Sequence, residues 1–281
     1  MDNYIFPLSI QFNSADTAVL LSAYTGKNKK GEKILKLLQK RNFYGVELNI
    51  LDYSINPGNL AEYLGSFNLK LINIATGAYA VKNGLSLSSP DKNIRDKTLA
   101  ELITIIKFAH DTGKETGVIC GFIKGKNNEK TTQYFTDSLS RLDPIIRKLK
   151  TPLLIEVTNH YESSVANTIS ETMQLVKNLN NPHIYVLPDT YHMNIEENNF
   201  TSDLIKNIEL FNSIHVSDNN RRYPGYGMID FYNILMSLKI SGYNKGIAIE
   251  GNTVGKIEEN INYSADYLSN VSEKIKTVLE K

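Results

Sequence analysis

Three carboxylates and one imidazole, Glu156, Asp189, Glu250 and His215, each close a short apolar run: 153–156, 184–189, 246–250 and 213–215 respectively. In chain order they stand 33, 26 and 35 residues apart, each about the length of one strand, loop, helix and returning loop. The four side chains are therefore expected at the same end of consecutive parallel strands. Converging there, they would make a divalent-metal site. Oxygen-rich ligation with one nitrogen and no thiolate suits Mn²⁺, Mg²⁺ or Co²⁺, and Zn²⁺ is also compatible with these ligand types. A single acid at a strand end is more often a helix cap or half of an ion pair. Four in register weigh more, because carboxylates held together without a cation are strongly destabilised.

The elements that must position these residues follow from the apolar pattern. Strands are expected at 5–12, 44–50, 70–75 and 116–122, followed by the four runs that carry the candidate ligands. Helical periodicity is expected at 31–41, 57–67, 94–112, 132–150, 163–179, 201–211, 230–240 and 257–281. It is clearest in 94–112, where Leu99, Leu102, Ile103, Ile106 and Ala109 recur at spacings of three and four before Gly113. Strict alternation of strand and helix builds a parallel sheet. A doubly wound open sheet would show a glycine-rich phosphate loop after its first strand, and Gln11, Phe12, Asn13, Ser14 offers none. The expected fold is an α/β (β/α)₈ TIM barrel, a single domain over residues 1–281. Lys124 to Thr132, rich in Lys, Asn and Gly, reads as a solvated turn at the active face.

Composition narrows the partners. The chain has 281 residues, 41% hydrophobic, enough for one barrel of about 250 residues. With 31 basic and 30 acidic residues the net charge is +1, which gives no general attraction to nucleic acid. The one cysteine, Cys120, sits in an apolar run and reads as a buried, unreactive thiol. The first residues lack a basic, apolar leader and no run is long enough to span a bilayer, so a soluble cytoplasmic protein is expected.

Three local motifs sharpen the chemistry. Glu156-Val-Thr-Asn-His-Tyr-Glu162 puts a second carboxylate six residues beyond the first; Asp189-Thr-Tyr-His-Met-Asn-Ile-Glu-Glu197 puts His192 one helical turn from Asp189; and His215 is followed by Arg221 and Arg222. Together they resemble the ketose 3-epimerases of the tagatose and psicose type, within the xylose isomerase-like superfamily. The resemblance spans most of the chain and is densest from Glu156 to Glu250. It implies that Glu156, Asp189, His215 and Glu250 bind Mn²⁺ or a similar ion, and that Glu162, His192 and Arg221 contact a small sugar. It also implies a homodimer or homotetramer, and inversion of C3 of a free ketose through a cis-enediolate with Glu156 and Glu250 as acid and base. A bound cation acidifies the proton next to a carbonyl, and inversion needs a base on one face and an acid on the other.

The chain departs from that pattern in places. It has Asn159-His-Tyr-Glu162 where those enzymes commonly have Asn-Arg-Tyr-Glu, Ser217-Asp218 where they carry Gly-Glu, and no Trp at all. Glu47, His160 and Arg222 each read as either site or structural residues; His110 and His183 read as remote. Other reactions could use the same ligands: isomerisation or dehydration of an inosose, a hydroxypyruvate or a sugar acid. An apurinic-site endonuclease would call for more histidines than the five present. A noncatalytic sugar-binding barrel would not need the whole ligand set.

Overall fold

The computed structural model describes residues 3–126, 130–206 and 208–281. Eight strands, β1 (Leu8–Phe12), β2 (Gly45–Leu48), β3 (Lys70–Ala75), β4 (Gly117–Cys120), β5 (Leu153–Glu156), β6 (Ile184–Leu187), β7 (Ser213–Val216) and β8 (Gly246–Ile249), pair in parallel. The sheet order is β6-β5-β4-β3-β2-β1-β8-β7. Isolated parallel bridges from Val186 to Phe211 and from Asp189 to His215 span the seam between β6 and β7, so the sheet nearly closes into a barrel.

Around it run α1 (Ser14–Tyr24), α2 (Lys30–Lys40), α3 (Pro57–Gly65), α4 (Gly77–Asn83), α5 (Lys92–Thr112) and α6 (Thr131–Leu149). The second half adds α7 (Ile169–Leu179), α8 (Thr190–Glu196), α9 (Phe200–Ile205), α10 (Phe231–Ile240) and α11 (Ile257–Leu279). The architecture is the (β/α)₈ TIM barrel expected from the alternation. No helix among the described residues is long and apolar enough to cross a membrane.

Strand parity explains which side chains enter the barrel. Successive residues of a strand face opposite sides. In β5, Leu153 and Ile155 join the layer between sheet and helices, while Leu154 packs inside with Ala75, Ile119 and Leu187. Glu156 shares the parity of Leu154 and therefore points inward. In β7 the outward residues are Ile214 and Val216, which leaves His215 inside; beyond β8 the outward Ile247 and Ile249 leave Glu250 inside. The same rule places Gln11, Glu47 and Gly121 on the inner face, at the C-terminal ends of their strands.

Three expected elements are corrected. The helix expected from 163 begins at Ile169, because the Thr168 side chain accepts the Glu171 N–H and the Glu171 carboxylate accepts the N–H groups of Ala166 and Asn167. The helix expected over 201–211 ends at Ile205 and is followed by a 3₁₀ turn at Ile208–Leu210. The solvated turn expected at 124–132 does not begin at Lys124, which ends a 3₁₀ turn (Phe122–Lys124) and is fully buried; residues 127–129 lie outside the described ones.

Candidate metal centre

The four strand-end residues meet at the C-terminal mouth of the barrel, and one ligand atom from each of Glu156, Asp189, His215 and Glu250 lies within 4.8 Å of all the others. Asp189 and His215 are wholly buried and Glu156 nearly so. His215 Nδ1 is 2.5 Å from Glu250 Oε2 and 3.7 Å from Glu156 Oε1. Despite that approach, His215 Nδ1 and Glu250 Oε2 are not aligned as a hydrogen bond, and both are buried without a partner. Orphaned acceptors in the interior are strongly unfavourable unless something else satisfies them. Three carboxylates and an imidazole directed at one point suit a divalent cation of the Mn²⁺, Mg²⁺, Co²⁺ or Zn²⁺ kind.

Glu47, which the sequence left between two readings, bonds to the back of this cluster. Its carboxylate oxygen Oε2 accepts from His215 Nε2 at 2.9 Å, and Oε1 accepts from Asn73 Nδ2 at 2.6 Å. Anchoring Nε2–H on Glu47 leaves Nδ1 as the nitrogen facing the cluster, available to a cation once its proton is displaced, the carboxylate–histidine arrangement that orients metal ligands. Burial pushes the His215 imidazole down, but Glu250, Glu47 and Glu156 outweigh it and hold it well above the ordinary histidine value. Burial, reinforced by Glu250, raises Glu156 to about 7.

His192 is one turn into α8, with Nε2 3.8 Å from Asp189 Oδ2 and 3.9 Å from Glu156 Oε1. Its Nδ1 accepts the Asn159 backbone N–H at 3.2 Å and lies 2.8 Å from Asn159 Nδ2. The backbone donor requires a lone pair on Nδ1, so the proton sits on Nε2 and is directed at the cluster. Burial, then Arg221, holds His192 well below its ordinary value, which keeps it neutral. Asn159 therefore orients His192, a role that its place in a loop motif did not reveal.

Arg221 bridges two of the cluster's acids, Nη1 to Asp189 Oδ2 at 2.5 Å and Nη2 to Glu250 Oε1 at 2.7 Å, and its guanidinium stacks 4.8 Å from the Tyr191 ring centre. Expected as a sugar contact, it also pairs with candidate ligands. Glu162 lines the same cleft, its carboxyl raised by burial and lowered in part by Arg221. His160 is bound to Glu196. Arg222 is exposed.

Glu156, Glu162, His192, Arg221 and Glu250 line a cleft of about 140 Å³ together with Gln11, Asn49 and Phe122. A larger cavity, about 930 Å³, opens at the opposite end of the barrel beside His183, Tyr185 and Lys245 and holds none of the acid cluster. The smaller space is the candidate site, because among the described residues the convergent carboxylates and imidazole lie there, at the C-terminal mouth of the barrel.

Relatives share this frame. Over 116 residues the chain is 31% identical to 3-dehydro-D-guloside 4-epimerase of Escherichia coli (strain K12), covering 41% of this chain and 44% of that enzyme. Over 96 residues it is 34% identical to ketose 3-epimerase of Arthrobacter globiformis, covering 34% of this chain and 33% of that enzyme. The chain thus spans less than half the length of either relative in these alignments. A solved L-ribulose 3-epimerase superposes with a TM-score of 0.81 at 18% identity, covering 98% of this chain and 97% of the other, a likeness of fold. The profile described as xylose isomerase-like TIM barrel matches residues 35–271, so the chain belongs to that family.

Proposed function

We propose that this chain is a divalent-metal-dependent sugar epimerase that inverts C3 of an uncharged ketose. One observation carries the reading: two glutamates from well-separated strand ends, Glu156 after β5 and Glu250 after β8, share one convergent donor set with Asp189 and His215. Those four residues would hold the cation, with Mn²⁺ the proposed ion. When bound, the cation stabilises the enediolate formed as the carbon next to the carbonyl loses its proton. Glu156 and Glu250 remove and return that proton from opposite faces of the sugar. His192 donates its Nε2–H to a sugar oxygen. Glu162 and Arg221 hold the neighbouring hydroxyls.

The cleft also speaks to the substrate's charge. Arg221 is the one cation among its described lining residues, and both Asp189 and Glu250 already engage it. No further cation there receives a phosphate or carboxylate, which favours a free ketose over a sugar phosphate or sugar acid. Nuclease chemistry finds little support, since His110 and His183 lie outside the cleft and His160 is engaged with Glu196.

The test is a panel of free ketoses, ketose phosphates, sugar acids and a 3-keto-glycoside, assayed with Mn²⁺ in D₂O and resolved by chromatography. A free ketose is expected to yield its C3 epimer with deuterium at the inverted carbon. Inversion without solvent deuterium, in substrate recovered under reversible conditions, would rule out the two-glutamate exchange. Turnover confined to phosphates or acids would overturn the substrate reading.

A further inference from the structure

The least expected side chain in the molecule is Lys124. A lysine is almost never fully buried unless its ammonium is well partnered. Lys124 is wholly buried, and its Nζ donates to the backbone carbonyl of Glu156 at 2.6 Å and to that of Ala166 at 3.0 Å. Backbone carbonyls are satisfied more simply by an amide, a hydroxyl or water, so packing alone does not call for a buried charge here. Glu156, Glu162, Glu171 and the Cys120 thiol act on the ammonium electrostatically.

The same turn meets Glu156 a second time. A Cβ on Gly121 would fall 1.9 Å from Glu156 Oε2. The space that a side chain on Gly121 would fill holds the Glu156 carboxylate. The turn is anchored on both sides. Leu87 N–H and Ser88 N–H donate to the carbonyls of Ile123 and Lys124, and the Ser163 hydroxyl donates to the Gly125 carbonyl.

We infer that the turn Gly121–Lys124 is a positioning device for Glu156, with Lys124 fixing its backbone carbonyl and Gly121 leaving the space that its carboxylate occupies. Both are positioning residues, and the inference rests on the proposed role of Glu156 as ligand and acid–base group. Placement of that carboxylate then depends on a neighbouring strand's exit turn as well as on β5 itself.

Two variants test it. In Gly121→Ala the added methyl meets the far end of a side chain rather than backbone, so the fold should survive while the carboxylate is displaced. Mn²⁺ titration by calorimetry is expected to show affinity weakened about tenfold or more, because a supporting contact to a ligand typically carries that much. Affinity within about threefold of the unmodified protein overturns the Gly121 half. In Lys124→Met, kcat at saturating Mn²⁺ is expected to fall on the order of tenfold to a hundredfold with the sugar KM within about threefold, as a displaced acid–base group predicts. A folded variant with unaltered kcat, or with loss confined to KM, overturns the Lys124 half. If Lys124→Met does not fold, Lys124→Gln is held to the same kcat and KM criteria, and Gly121→Ala decides the Gly121 half. Should no sugar be turned over by the unmodified protein, the function fails, yet Mn²⁺ titration of Gly121→Ala still decides the positioning.

Discussion

Glu47 has no place in the proposed ligand set, yet it governs one of its members. Its hydrogen bond to His215 Nε2 keeps the imidazole's Nδ1 edge directed at the carboxylates, and Asn73 holds Glu47 in turn. Glu47→Gln keeps the size and can place an amide donor where an acceptor is needed. Mn²⁺ affinity is expected to drop about tenfold to a hundredfold, with one site per chain still filled at high metal. Glu156→Gln or His215→Ala removes a proposed ligand and should leave no stoichiometric site in the same titration. Equal affinities for Glu47→Gln and the unmodified protein would assign Glu47 to packing alone. The convergence of the four residues was legible from spacing because each ends an apolar strand run. Glu47 lies within the expected 44–50 run, and its partner is 168 residues away, a pairing that leaves no local trace.

At the scale of elements, the loop after β7 shows how a departure from the family pattern is accommodated. Ser217 and Asp218 stand where the resemblance expects Gly-Glu, and Asp218 is buried with its carboxylate accepting the N–H groups of Asn219, Gly225, Gly227 and Ile229. The loop it organises carries Arg221, held at φ +58°, and the Asn252 N–H donates to the Arg221 carbonyl at 2.6 Å. Asp218→Asn replaces an acceptor with a donor facing other donors. Stability is expected to fall by about 1–3 kcal/mol in denaturant melts. Sugar KM should rise as well, because Arg221 loses its seat; a destabilised variant with unchanged KM would separate the loop from substrate binding.

Legibility varied among elements for physical reasons. β3 and β5 match their expected bounds because β3's run stops before polar Thr76 and β5's ends on Glu156. α1, α4 and α8 went unread. α1 has Ala, Val and Leu around its whole circumference and so no polar stripe, while α4 and α8 are seven residues each, two turns, too short for periodicity to emerge. Lys124 was misjudged since a Lys, Gly and Asn composition signals solvent, whereas the partners that bury this lysine are backbone carbonyls without a sequence signature.

For the molecule as a whole, the cluster couples protonation, metal and stability. Glu156, at about 7 in the fold against an ordinary 4.5, binds a proton more tightly folded than unfolded. Its contribution to the metal-free protein is therefore fully present below about 4.5 and is lost as pH rises through about 7. His215, also held high, keeps its proton more tightly in the fold, and its contribution likewise declines as pH rises. A cation requires the ionised carboxylate and the neutral imidazole, so it must displace these protons at low pH and need not at high pH. Stabilisation by metal then has the opposite sign, growing as pH rises. Each displaced proton changes the metal's apparent binding energy by about 1.4 kcal/mol per pH unit below the relevant pKa. Thermal melts with chelator and with a fixed excess of Mn²⁺ should show a larger rise in Tm at pH 8 than at pH 6. An equal rise at both would mean that Glu156 and His215 do not exchange protons for the cation, which removes them together from the ligand set. In Glu156→Gln, any residual metal-dependent rise should vary less steeply with pH, since only the His215 proton remains to be displaced.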